Sequence, residues 1–327
     1  MSKLFEIISP FNDRFNWSEH LPEKTQFLAF PNTKSMMVSG NWGQMLFQII
    51  KKDEFSIWIT QYYAEANRVF TIRSESEVIK FTMLIQNNLP QTVSPFHNRM
   101  TKESQFNIYF VPYLEKSVSF KENESYATLD IQFSVSYLEK LLPYFKIAIE
   151  PFLKYITKGR PSQLFPANFF ASHYMLDIAR QIIRELQSPD RNELIIELNV
   201  KLLLAYAFSY SVHLKSEKNL ISAHQISEIN RVSSLILENL FDPPSIKNLA
   251  KETGTSVTAF KRNFKMVLKE PPYQYWSTYR MNLAFEKIVS SEDSITDIAL
   301  GLGFSTVTNF SKAFKKKFKL SPTIFRK

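Results

Sequence analysis

Two groups of hydrogen-bond donors near the C-terminus occupy equivalent places about fifty residues apart. Thr258, Lys261, Arg262 and Lys265 form the first; Thr308, Asn309, Ser311 and Lys312, followed by Lys315, Lys316 and Lys317, form the second. Lys261 and Arg262 carry donors suited to guanine, and a threonine can meet a base edge or a thymine methyl. The base-reading set is therefore Thr258, Lys261, Arg262, Thr308, Asn309, Ser311 and Lys312. Three successive lysines cannot all face one groove, so Lys315, Lys316 and Lys317 are expected on phosphates, together with Lys265.

These side chains need helices to present them, and the surrounding sequence supplies two. Ile246-x-x-Leu249-Ala250-x-x-x-Gly254 recurs 49 residues later as Ile295-x-x-Ile298-Ala299-x-x-x-Gly303. Beyond the glycine the offset is 50: Val257, Phe260, Phe264 and Lys265 return as Val307, Phe310, Phe314 and Lys315, and Pro272 and Tyr275 as Pro322 and Phe325. In each copy the first three apolar positions share one helical face. The small alanine lets a second helix cross closely, and the glycine permits the turn. Ser256 is a suitable N-cap, and Phe260 and Phe264 face inward one turn apart. Each copy is thus a helix-turn-helix. Pro271-Pro272 can open a connecting helix of about nineteen residues. At ~1.5 Å per residue it spans ~28 Å, near the ~34 Å between successive major-groove faces.

The duplicated pattern resembles the C-terminal domain of the AraC/XylS family of bacterial transcription regulators. Its second half carries the match most fully: Ile298-Ala299, Gly303-Phe304, the spaced pair Phe310 and Phe314, Phe318-Lys319, and a terminal Pro322-x-x-Phe325-Arg326. Lys319 stands where the family usually has glycine and Phe325 where it usually has tyrosine. The resemblance covers about Ser222 to Lys327. It implies a seven-helix domain that reads double-stranded operator DNA in two adjacent grooves, within a regulator, commonly an activator, that contacts RNA polymerase.

Charge agrees with that division. The chain of 327 residues has a net charge of +9. From Asp242 onward 15 Lys/Arg face 7 Asp/Glu, so +8 lies in the last quarter and +1 in the rest. A basic module joined to a neutral one points to a polyanion for the former only. From Ser35 to Phe133, β-branched and aromatic runs at Met45–Ile50, Phe55–Tyr62, Val69–Arg73, Val78–Ile85, Phe106–Val111 and Tyr126–Phe133 alternate with polar breakers, among them Asn87-Asn88-Leu89-Pro90. Phe55, Ile57 and Ile59 point one way and Trp58 and Thr60 the other; Leu129, Ile131 and Phe133 share a face. An antiparallel sandwich or small barrel follows.

After Ser134 the period becomes helical. A capping box is read at Ser136-Tyr-Leu-Glu, and further helices over Asn168–Gln187, Glu193–His213 and Gln225–Leu240. The fold class is therefore α+β. Residues 1–134 form a β-rich sensor, cupin-like by the resemblance; 135–220 a helical linker or dimerisation segment, equally readable as core helices; and 221–327 the DNA-binding domain, all-α.

The resemblance gives the front half a small-molecule effector, siderophore-like or another metabolite, or a homodimer surface. Tyr62, Tyr63, Phe110, Tyr113 and Tyr126 suit such a ligand and equally suit a core.

The absence of cysteine excludes disulfides, thiolate metal sites and cysteine nucleophiles. His20 and His97 form no alternating pair, and His173, His213 and His224 lie elsewhere, so neither an enzyme nor a bound cofactor is expected. The competing readings are an effector-independent DNA-binding regulator and a cupin-type metalloenzyme. No signal peptide opens the chain, and Leu194–Val212 is read as a buried or interfacial helix, so the expectation is a cytoplasmic protein away from the membrane.

Overall fold

The computed structural model describes residues 5–21, 26–165, 168–216, 222–268 and 270–326. It divides into two compact units, Met1–Glu217 and Lys218–Lys327. The first contains β1 (Glu6–Ile8), β2 (Asn16–Ser18), β3 (Lys34–Gly40), β4 (Gly43–Lys51), β5 (Phe55–Ala64), β6 (Arg68–Ser74), β7 (Val78–Gln86), β8 (Leu89–Val93), β9 (Phe96–Thr101), β10 (Gln105–Val111), β11 (Leu114–Phe120) and β12 (Glu124–Phe133). Helix α1 (Val135–Ile156), the two-residue strands β13 (Ser162–Gln163) and β14 (Phe169–Phe170), α2 (His173–Gln187) and α3 (Glu193–Ser216) complete it. The second unit holds α4 (Ala223–Glu238), α5 (Ile246–Glu252), α6 (Val257–Leu268), α7 (Pro272–Ser290), α8 (Ile295–Gly301) and α9 (Val307–Phe318), then a single 3-10 turn at Pro322–Phe325.

In the first unit a large antiparallel sheet runs β13-β10-β7-β12-β5-β4-β3-β2, with β14 also on β10, and a smaller one runs β1-β6-β11-β8-β9. The central pairing sets Ile131 opposite Ile57 and Phe81, and Leu129 opposite Ile59 and Met83. Because side chains alternate along a strand, that register gathers one apolar face. Helices cover this face: Phe55 and Phe133 meet Tyr137 of α1, and Phe106 meets Tyr210 of α3. The opposite face packs on the smaller sheet. Tyr62 lies 5.0 Å from Phe120, and Trp42 4.9 Å from Phe70, in a core that also takes Phe47, Ile72 and Val118.

The six expected strands are present, but several boundaries differ from the sequence reading. The break after β7 is only Asn87-Asn88: Asn87 turns at φ +62°, and the chain is extended again from Leu89. Helix α1 starts two residues early because Ser134, not Ser136, caps it, accepting from the Tyr137 amide at 3.2 Å. Helix α2 starts at His173, since Phe169 and Phe170 pair with Phe106 and Gln105 and Ser172 provides the cap. Within α3, Glu193–Val212 is long and apolar enough to cross a membrane, and half of its most apolar window is buried in the fold.

Candidate nucleic-acid interface

The two copies of the repeat fold alike down to their hydrogen bonds. Ser245 and Ser294 cap α5 and α8. At the end of α5 the Gly254 amide donates to the Lys251 carbonyl and the Thr255 amide to that of Ala250, each at 3.0 Å. At the end of α8 the Gly303 amide donates to Leu300 at 2.8 Å and the Phe304 amide to Ala299 at 3.0 Å. This paired closure requires a left-handed residue, and Gly254 (φ +63°) and Gly303 (φ +76°) provide it. A Cβ at Gly303 would also stand 3.1 Å from the Phe241 backbone. The caps of α6 and α9 follow: Ser256 accepts from Ala259 and Thr306 from Asn309, both at 3.2 Å.

Those turns fix the phase of the second helix in each copy. Phe260, Phe264, Phe310 and Phe314 are all fully buried. Phe264 reaches Tyr275 on α7 at 5.6 Å, and Phe314 packs with Phe285, Phe318 and Phe325. With the phenylalanines inward, Thr258, Lys261, Arg262 and Lys265 on α6 are exposed, as are Thr308, Asn309, Lys312, Lys315 and Lys316 on α9; Ser311 is half-buried. None of these cationic side chains has an ion-pair partner among the described residues. Lys317, expected on a phosphate, is instead turned toward its own domain. Its Nζ donates to the Thr278 carbonyl on α7 at 2.9 Å and lies over Phe318. The phase of α9 carries it a quarter-turn past Lys316.

Helix α7 spans nineteen residues, as the proline pair implies, and holds groups that periodicity did not single out. Arg280 is buried and donates from Nε to the Leu302 carbonyl at 2.6 Å while stacking on Phe304 and Trp276. Burial lowers its pKa. Trp276 donates to the Leu240 carbonyl at 2.9 Å. These bonds tie α7 to the turn of the second repeat and to the end of α4. An arginine set among the aromatic residues Tyr275, Trp276 and Tyr279 was the available signal.

The first unit contains a cavity of about 310 Å³ between its sheets. It is lined by Phe47, Trp58, Tyr62 and Leu114 and by Ser56, Thr60, Lys80, Lys116 and Asp130, with exposed Lys51, Ser76 and Glu77 at its rim. Asp130 accepts from Lys80 at 3.0 Å and from the Thr82 hydroxyl. Burial works against the Lys80 charge, but Asp130 and Tyr109 together outweigh it and keep the ammonium protonated. Burial pushes the Tyr62 and Tyr109 phenols up. Lys116 is brought down to about 8, by burial first and then by the Lys80 charge. Of the five aromatic residues singled out in the sequence, Tyr62 lines the cavity. Tyr126 is core, Phe110 is buried, Tyr63 is half-buried, and Tyr113 is exposed. His20 and His224 are exposed, and no group of three His, Cys, Asp or Glu residues suited to a metal comes together among the described residues.

Comparison with known proteins bears on the basic unit. Residues 249–327 match the helix-turn-helix domain family model. The chain is similar to the HTH-type transcriptional regulator AlkR of Acinetobacter baylyi, 27% identical over 138 residues, covering 42% of this chain and 45% of that protein. It is also similar to the HTH-type transcriptional activator RhaS of Escherichia coli, 24% identical over 179 residues, covering 54% of this chain and 64% of that protein. The matched stretch thus spans less than two thirds of either relative. A crystal structure of an AraC-type DNA-binding regulator from Chromobacterium violaceum aligns at 28% identity and TM-score 0.29, covering 32% of this chain and 94% of that one. The chain carries, in its C-terminal unit, the tandem helix-turn-helix domain of the AraC/XylS family of bacterial transcription regulators.

Proposed function

We propose that this protein is a sequence-specific DNA-binding transcription regulator and a ligand-responsive activator. The observation that carries the reading is the pair of equivalent helices α6 and α9, each anchored by buried phenylalanines and each presenting unpaired cations outward. Thr258, Lys261, Arg262, Thr308, Asn309, Ser311 and Lys312 read bases, and Lys265, Lys315 and Lys316 hold phosphates. Activation is supported by the similarity to RhaS, which is described as an activator. RNA polymerase is then the protein partner at the promoter, and the bacterial cytoplasm the place of action.

Residues 1–134 serve as the sensor, with cupin-like strands around the cavity, and 221–327 as the reading head. A cavity of about 310 Å³ with both apolar and polar walls suits a small effector. Residues 135–220 supply the dimer surface: Leu194, Leu198 and Leu202 are exposed at four-residue intervals along α3.

Selection from a random duplex pool by the intact protein tests the reading. The enriched sites should contain two short elements about one helical turn apart, ~10 base pairs. Their affinity should fall steeply with salt. A pool that stays unenriched after repeated rounds overturns it.

A further inference from the structure

Lys116 is the unusual group of the cavity wall. It sits on β11, in a position where its neighbours Val118 and Phe120 are core residues, and only 7% of it is exposed. Its ammonium has no hydrogen-bond acceptor and no carboxylate within ion-pair reach among the described residues. Asp130 favours the Lys116 charge from a distance but makes no contact with it; its oxygens accept from Lys80 and Thr82. Lys80 and Asp130 cancel, and Lys51 and Glu77 at the rim are solvated and opposite in sign. One positive charge is left over inside a space otherwise walled by rings, aliphatic groups and hydroxyls. A buried cation without a partner is costly, and an anion of matching charge removes that cost.

We propose that this cavity binds a small organic monoanion, a carboxylate carried on an apolar body, with Lys116 as its counter-ion. The carboxylate lies at Lys116, and Trp58, Tyr62, Phe47 and Leu114 hold the body. Ser56 and Thr60 offer hydroxyls to the remaining lone pairs. A dianion would leave a negative charge uncompensated, and a neutral ligand would leave the ammonium unpaired. The assignment deepens the effector reading above and rests on it only for the consequence at DNA.

Titration calorimetry of the intact protein at neutral pH tests the site, with phenylacetate and hexanoate as probes and phenylacetamide and hexanamide as neutral controls. The acids should bind at least about tenfold more tightly than the amides, the scale of a hydrogen bond to a charged group. Lys116→Met should abolish the difference and Lys116→Arg should keep it. Equal affinity of acid and amide, no binding of either acid, or an unchanged Lys116→Met protein overturns the proposal.

Should Lys116→Met not fold, the wild-type pH profile decides. Lys80 is held protonated by Asp130, Tyr62 and Tyr109 stay neutral, and Lys51 and Glu77 are solvent-exposed at the rim. Affinity for phenylacetate should therefore fall above pH about 8, where Lys116 loses its proton. A flat profile overturns the site. Gel-shift titration separates the two levels. Acid binding without any change in DNA affinity supports the site and removes the effector role. A DNA response to the amides that survives Lys116→Met keeps the effector role and overturns the site.

Discussion

The two units treat positive charge in opposite ways. Where the N-terminal unit takes cations out of water it gives them partners: Arg68 with Asp13 at 3.1 Å, Lys80 with Asp130 at 3.0 Å, Arg191 with Glu193 at 2.8 Å. The reading helices of the C-terminal unit leave Lys261, Arg262, Lys312, Lys315 and Lys316 exposed and without an ion-pair partner among the described residues. An exposed lysine loses little by lacking a partner, so unpaired surface charge is inexpensive and remains free for a polyanion. Burial reverses that logic. Lys116 breaks the habit of its own unit, and in a wall with little access to water an unpaired charge costs the fold stability unless something occupies the site.

The largest expected effects break the reading unit at its anchors. Phe314→Ala or Phe264→Ala removes a fully buried ring and should cost ~3–5 kcal/mol, enough to unfold the affected repeat and abolish tight DNA binding. A thermal melt compared with wild type checks this. An unchanged melt would mean that the inward phase of these helices is wrong.

Next come the paired and unpaired lysines of the cavity, which should respond with opposite signs. Asp130→Asn strands Lys80 and should destabilise the protein by ~3–5 kcal/mol, whereas Lys116→Met removes an uncompensated charge and should stabilise it by ~1–3 kcal/mol. Denaturant titrations of both variants test the contrast. The pH dependence has a definite sign. Folding lowers the Lys116 pKa from 10.5 to about 8, so between those values the unfolded chain holds more protons. The Lys116 penalty is full below pH about 8 and is relieved as pH rises toward 10.5. Wild type should therefore gain stability relative to Lys116→Met across that window. Parallel curves for the two proteins would show that the ammonium is solvated.

Smaller effects sharpen the picture of the reading face. Arg262→Ala should cost ~1–3 kcal/mol at one base position, while Lys316→Ala should weaken all sequences alike and lower the salt slope by about one. Binding to a panel of operator variants at two salt concentrations separates the two behaviours. Lys317→Ala, by contrast, should change stability more than salt slope, because its ammonium is engaged by Thr278.

The mildest change is Lys319→Gly. Lys319 ends α9 in the left-handed region at φ +65°, where the related family usually has glycine. Removing the Cβ should stabilise by up to ~1 kcal/mol, visible as a small rise in melting temperature.

Much of the reading unit was legible before the structure because its determinants are local. Glycine spacing, serine caps and phenylalanines one turn apart act within a dozen residues, and duplication shows them twice. The direction of Lys317 was not legible, because a run of lysines carries no phase of its own; the packing of Phe314 and Phe318 turns it toward Thr278. Arg280 escaped notice because its partner, the Leu302 carbonyl, lies 22 residues away. The strand β11 was hidden for a related reason: Leu114-Glu-Lys-Ser-Val-Ser-Phe puts a lysine at an inward position, which interrupts the apolar alternation that marks a strand.

The sequence by itself determined the repeat, the tandem helix-turn-helix units, the concentration of charge in the last quarter, and the two faces of strands β5 and β12. Period-two alternation records that Trp58, Thr60, Asp130 and Gln132 differ from Ile57, Ile59, Leu129 and Ile131, because neighbouring side chains must point oppositely. It does not record what lies beyond each face. Only the tertiary structure decided that the more polar face meets a second sheet rather than water, since β6 and β11 arrive there through long-range pairing. That closure leaves Lys80, Asp130 and Lys116 with little access to water, and it turns an ordinary alternating strand pattern into the wall of a charged cavity.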